Sequence, residues 1–181
     1  MLSPYSDPTF RQTNERRTLA IVVDNEPGVL ARIAGMFSGR GYNIESLTVS
    51  ETEHEKHVSR ITVVTRGTAQ IIDQIKAQLN RLVPVHRVVD LTLSGANIER
   101  ELALVKVRQD GPDRSEHRME ALRLATAFGA KPIDATLNSF IFEIAGAADD
   151  VDRFIALMAN IGLVEVARTG AAAISRGADG L

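Results

Sequence analysis

A chain of 181 residues, 44% of them hydrophobic and 24% charged, suits one domain or two small ones and excludes a disordered or fibrous protein. A formal net charge of −2 argues against a protein living on phosphate contacts, and so against a dedicated nucleic-acid binder. With no cysteine there is no disulfide, thiolate metal site, iron–sulfur cluster or cysteine nucleophile, which fits a reducing cytoplasm; no apolar run approaches the roughly 20 residues that span a bilayer.

Residues 1–16 mix Pro4, Asp7, Pro8 and Glu15 with Arg11 and Arg16 and hold no apolar run, so a flexible leader is expected rather than a signal peptide or anchor. The short apolar segment 18–23 halts at Asp24-Asn25-Glu26-Pro27-Gly28, which reads as a strand and then a turn. Val29, Leu30, Ile33, Ala34 and Phe37 recur at helical spacing and predict a helix over 29–38. Gly39 and Gly41 are expected to close it, since glycine tolerates the left-handed conformation. Alternation over 43–50 predicts a strand, 51–56 a charged hairpin loop, and 58–65 a strand rich in β-branched residues. Thr68 can cap a helix carrying Ile72, Ile75, Leu79 and Leu82, and Pro84 opens a strand through Val85, Val89, Leu91 and Leu93.

Ser94-Gly95-Ala96-Asn97 reads as a linker, and beyond it the pattern recurs. A strand at 101–107, the turn Asp110-Gly111-Pro112-Asp113 and a helix carrying Met119, Leu122, Ala125 and Phe128 are followed by strands at 133–136 and 140–145. A helix with Val151, Phe154, Ile155 and Met158 then leads to a strand at 164–168. The fold class is therefore α+β: two tandem ferredoxin-like βαββαβ domains at 17–94 and 95–170, with 171–181 a small, polar, flexible tail.

Catalytic signatures are missing from this pattern: there is no GxGxxG, Walker loop, GxSxG or HExxH. His54-Glu55-Lys56-His57 has two histidines three apart, but a hairpin loop with a lysine between them reads as a solvated turn rather than a metal site. Asp149, Asp150 and Asp152 complement a helix start, and Glu51, Glu53 and Glu55 share the exposed hairpin, so neither cluster makes a buried acid–base pair. RNA recognition on the sheet would need aromatics on central strands, and 18–23 and 58–65 hold none.

What remains is a ligand turn. Asn25-Glu26-Pro27-Gly28-Val29-Leu30 joins the first strand to the first helix, where bare N–H groups suit a carboxylate and Asn25 offers an amide. Taken alone, the same turn is also what an ordinary helix start looks like. Arg40-Gly41-Tyr42-Asn43-Ile44-Glu45-Ser46-Leu47 brings a second asparagine to the start of the second strand, at the sheet edge in the usual ferredoxin-like order. Two copies joined along that edge would bring Asn43 of one near Asn25 of the other.

These two segments resemble the ACT domain of the small, regulatory subunit of acetolactate synthase (acetohydroxyacid synthase). The resemblance continues through Glu99-Arg100-Glu101-Leu102-Ala103-Leu104-Val105-Lys106-Val107 and through Val164-Glu165-Val166-Ala167-Arg168-Thr169-Gly170 to Ser175-Arg176-Gly177, so it spans most of the chain from Arg17 onward. It implies a subunit without a catalytic centre that activates a large catalytic subunit and confers feedback inhibition by branched-chain amino acids, chiefly valine. Thiamine diphosphate, magnesium and FAD then belong to the large subunit. A homodimer is therefore expected, its N-terminal domains paired edge to edge, with two effector sites at the seam, each using Asn25, Gly28, Val29 and Leu30 of one chain and Asn43 and Ile44 of the other. A free-standing ACT-type amino-acid sensor is the alternative, and a self-sufficient enzyme the more distant one.

Overall fold

The computed structural model describes residues 13–53, 57–93, 95, 97–109, 114–178 and 180–181. They form two compact units, the first made largely of residues up to Leu93 and the second running from Ser94.

The first unit runs β1 (Glu15–Asp24), α1 (Val29–Ser38), β2 (Ile44–Glu53), β3 (Val58–Gly67), α2 (Ala69–Leu79) and β4 (Val85–Asp90), with sheet order β2-β3-β1-β4. β1 pairs antiparallel with β3 from Glu15 opposite Gly67 to Asp24 opposite Val58, and with β4 on its other side. Cross-strand partners Ile21 and Ile61, and Leu19 and Val63, share one face and are fully buried, as are Ile33 and Phe37 of α1 and Ile75 and Leu79 of α2. Thr68 caps α2 as its sequence implies, its side chain accepting from the Ile71 N–H.

The second unit runs β5 (Asn97–Arg108), α3 (Arg114–Phe128), β6 (Lys131–Ala135), β7 (Ser139–Gly146), α4 (Ala148–Ala159), β8 (Leu163–Arg168) and β9 (Ala172–Ser175). Its sheet order is β6-β7-β5-β8, the same order as in the first unit. The core gathers Val105 and Val107 of β5, Phe142 of β7 and Phe154 and Met158 of α4, with the Phe142 and Phe154 rings edge to face at 6.1 Å. The βαββαβ reading holds in both units.

Several local expectations are corrected. The segment 171–181 does not run as a loose tail: Ala172–Ser175 forms β9, paired antiparallel with Asn97–Arg100 of β5, and Ala171 and Ala173 are buried. Glu15 and Arg16, read as leader, already belong to β1, and Asn97, read as linker, opens β5. Gly39 is right-handed at φ −65, so of the two glycines after α1 only Gly41, at φ 69, uses the left-handed region. On α3 Ala121 and Ala125 are buried and Leu122 and Phe128 pack against the core, while Met119, expected with them, is 70% exposed. Residues 1–12, the hairpin tip 54–56, the turn 110–113 and linker residues Ser94 and Ala96 lie outside the described residues.

Candidate functional site

α1 starts without a side-chain cap. Its N-cap is Gly28, left-handed at φ 88, and no atom lies within 4 Å of where a Cβ would stand there. Val29 N–H donates to Glu26 O at 3.3 Å and Arg32 N–H to Gly28 O at 3.0 Å. The N–H groups of Leu30 and Ala31 fall between these two and have no acceptor within a helix that begins at Val29. Asn25 is exposed, and Leu30 is 43% exposed beside it. The result is an open helix N-terminus, a carboxamide and an apolar side chain on one turn, a set suited to a small molecule with a carboxylate and an apolar group. Val29 takes the inward place that its helical spacing implies: its side chain is 4% exposed and fills the core of its own unit, so what it can offer a ligand at the turn is its backbone.

The turn is held from two sides. Asn25 N–H donates to His57 O at 2.6 Å and Asp24 N–H to Pro84 O at 2.9 Å, which ties the end of β1 to the starts of β3 and β4. Asp24 Oδ1 also lies 2.6 Å from His86 Nε2, an exposed pair at the same end of the sheet. The second unit repeats the backbone clamp: Gln109 N–H donates to Asn138 O at 2.9 Å and Arg108 N–H to Gly162 O at 2.8 Å, just before β7 and β8. The carboxamides differ in fate. Asn25 faces solvent, whereas Gln109 is fully buried with neither amide atom hydrogen-bonded.

Asn43 and Ile44 sit at the opposite end of the first sheet. Asn43 O accepts from Thr65 Oγ1 at 2.6 Å, and Thr65 lies seven residues along β3 from Val58, the residue opposite Asp24. At about 3.3 Å per residue that separates Asn43 from the turn by roughly 23 Å. One chain therefore does not bring Asn25 and Asn43 together. Asn43 is exposed and Ile44 half-buried, both where β2 begins at the edge of the sheet. Sequence reasoning missed Thr65, because a threonine in a β-branched strand looks like its neighbours until the register is known.

Among the described residues no group of three or more histidine, aspartate or glutamate side chains is placed to hold a metal ion, and no helix is long and apolar enough to cross a membrane. The histidine pattern proposed as a solvated turn lies mainly outside the described residues; His57, its last member, contributes its backbone carbonyl to the clamp.

Comparison with known proteins agrees with this architecture. The family model "AHAS small subunit-like ACT domain" matches residues 19–87, and the model "Small subunit of acetolactate synthase" matches residues 100–177. The chain is 43% identical over 162 residues to the probable acetolactate synthase small subunit of Archaeoglobus fulgidus, covering 90% of this chain and 98% of that protein. It is 41% identical over 163 residues to the isozyme 3 small subunit of Escherichia coli, covering 90% and 96%. The crystal structure of the acetolactate synthase small subunit from Thermotoga maritima superposes with a TM-score of 0.81 at 36% identity, covering 91% of this chain and 99% of that one.

Proposed function

Because this chain belongs to the acetolactate synthase small-subunit family, in which it is a non-catalytic subunit with an ACT domain, we propose that it activates a large catalytic subunit and makes it sensitive to valine. The reaction served is the condensation of two pyruvates to 2-acetolactate and CO2, in the synthesis of branched-chain amino acids in the cytoplasm. The large subunit carries thiamine diphosphate, magnesium and FAD, and this chain supplies control.

The effector site forms between two copies. The observation that carries this reading is the separation of the turn and Asn43 at opposite ends of one sheet. β2 starts beside Thr65 and ends near the start of β3, where Thr52 Oγ1 lies 3.5 Å from Val58 O. Two copies paired antiparallel along β2 therefore bring the Asn43 of each to the end of the sheet that holds the other's turn. The effector carboxylate meets the N–H groups at the start of α1, Asn25 and the partner's Asn43 bind its polar head, and Leu30 and the partner's Ile44 face its branched side chain.

Asn43→Ala tests the reading. Asn43 is exposed and precedes β2, so the fold should hold, while loss of a hydrogen bond to a charged ligand costs roughly 1.5–3 kcal/mol, at least about tenfold in affinity. The expected outcome is weaker valine binding by calorimetry and weaker valine inhibition of the reconstituted holoenzyme, with activation retained. Unchanged inhibition would remove Asn43 from the site.

A further inference from the structure

We propose that Thr65 is a positioning residue of the effector site, setting the place of Asn43 through a buried hydroxyl; this rests on the effector reading above. Thr65 is fully buried near the C-terminal end of β3, and its Oγ1 donates to Asn43 O at 2.6 Å. Its direct partner across the ladder, Arg17, is turned toward Glu15 and lies 3.6 Å from Asp90 Oδ2. The hydroxyl is thus committed to the residue just before β2.

The short link from α1 to β2 is held at successive residues. Gly41 takes the left-handed turn, and Tyr42 N–H donates to Phe37 O at 3.0 Å with its ring edge-on to Phe37 at 6.2 Å. Asn43 is then held through its carbonyl by Thr65, which leaves its carboxamide exposed. Without the hydroxyl, Tyr42 still anchors the preceding residue and β2 the following one, but the Asn43 carbonyl loses the bond that fixes its orientation. A side chain that must meet a ligand on another copy loses orientation before the sheet loses stability. The bond from the buried Thr65 hydroxyl therefore acts on effector affinity without itself touching the effector.

The experiment uses holoenzyme reconstituted from the large subunit and variants of this chain, read as activation without effector and as the valine concentration for half-inhibition. Thr65→Val keeps the shape and removes the hydroxyl. It should raise the half-inhibiting concentration about three- to tenfold with activation unchanged, the scale of one lost buried hydrogen bond. Thr65→Ser and Thr65→Ala both lack the methyl and differ only in the hydroxyl, so Ser should stay near wild type and Ala should follow Val even if Val packs poorly. Equal half-inhibition for Ser and Ala, with Asn43→Ala still impaired, would overturn the role of Thr65 and leave the effector site standing. If Asn43→Ala is also fully valine-sensitive, the effector reading itself fails.

Discussion

Gly28 is where the chemistry of the turn depends on a single backbone angle. At φ 88 it lies in the region that costs other L-residues about 1–2 kcal/mol, yet nothing stands within 4 Å of an added Cβ. Strain and charge can therefore be separated. Gly28→Ala brings strain alone, and valine inhibition should survive with a modest fall in thermal midpoint. Gly28→Asp adds a carboxylate at the position proposed for the effector's own, at a helix start that tolerates an acid, so activation should persist while valine inhibition is lost. A Gly28→Asp holoenzyme as valine-sensitive as wild type would contradict the carboxylate position. Much of this turn was legible, since Pro-Gly after an apolar strand marks a helix start and Asn25 beside it marks a polar group on offer. The burial of Val29 was legible too, from its spacing with Ile33 and Phe37, whereas the exposure of Leu30 on the same stripe emerges only from packing. Thr65 was illegible for a related reason, because its meaning lies in a hydrogen bond to a residue 22 positions away.

At the scale of elements, the two units expose unlike edges. β2 is ten residues long and contains no proline, whereas its counterpart β6 is five residues long with Pro132, an irregular register, and Lys131 and Asp134. Proline and a bulge blunt an edge against pairing, so on the proposed reading β2 rather than β6 is the edge that meets a second copy. Val49, 44% exposed on β2, offers a test that leaves the core alone. Val49→Lys should weaken self-association at least about tenfold in sedimentation, with valine binding falling in parallel, because a lysine on an edge strand opposes pairing. A variant that sediments as wild type would show that β2 does not make the seam. The strongly periodic α1 spans its expected 29–38, and Thr68 caps α2 as expected, although Leu82, assigned to that helix from its spacing, lies beyond its end at Leu79. β9 was missed because Ala172 and Ala173 carry no hydrophobic pattern, and its pairing depends on the distant Asn97–Arg100. On α3, Leu122, Ala125 and Phe128 pack against the core as their spacing implies, and Met119 is the exception.

At the scale of the whole molecule, one architecture is used twice with different outcomes. Both units tie off their first strand with the same backbone clamp, but one carboxamide faces solvent and the other is buried without a partner. The turn of the first unit is thereby suited to a ligand, and it stands about 23 Å from Asn43 on the same chain. On the proposed reading, control of a catalytic partner by an amino acid depends on two copies meeting. The most direct measurement isolates, with two different affinity tags, a mixed dimer of one Gly28→Asp chain and one Asn43→Ala chain, and titrates it with valine by calorimetry. In that dimer one shared site carries both substitutions and the other carries neither. A site shared between chains predicts one wild-type-affinity valine site per mixed dimer, although each parent dimer binds poorly. A site built within one chain leaves a defect in both sites, and a mixed dimer that binds valine no better than its parents would contradict the account.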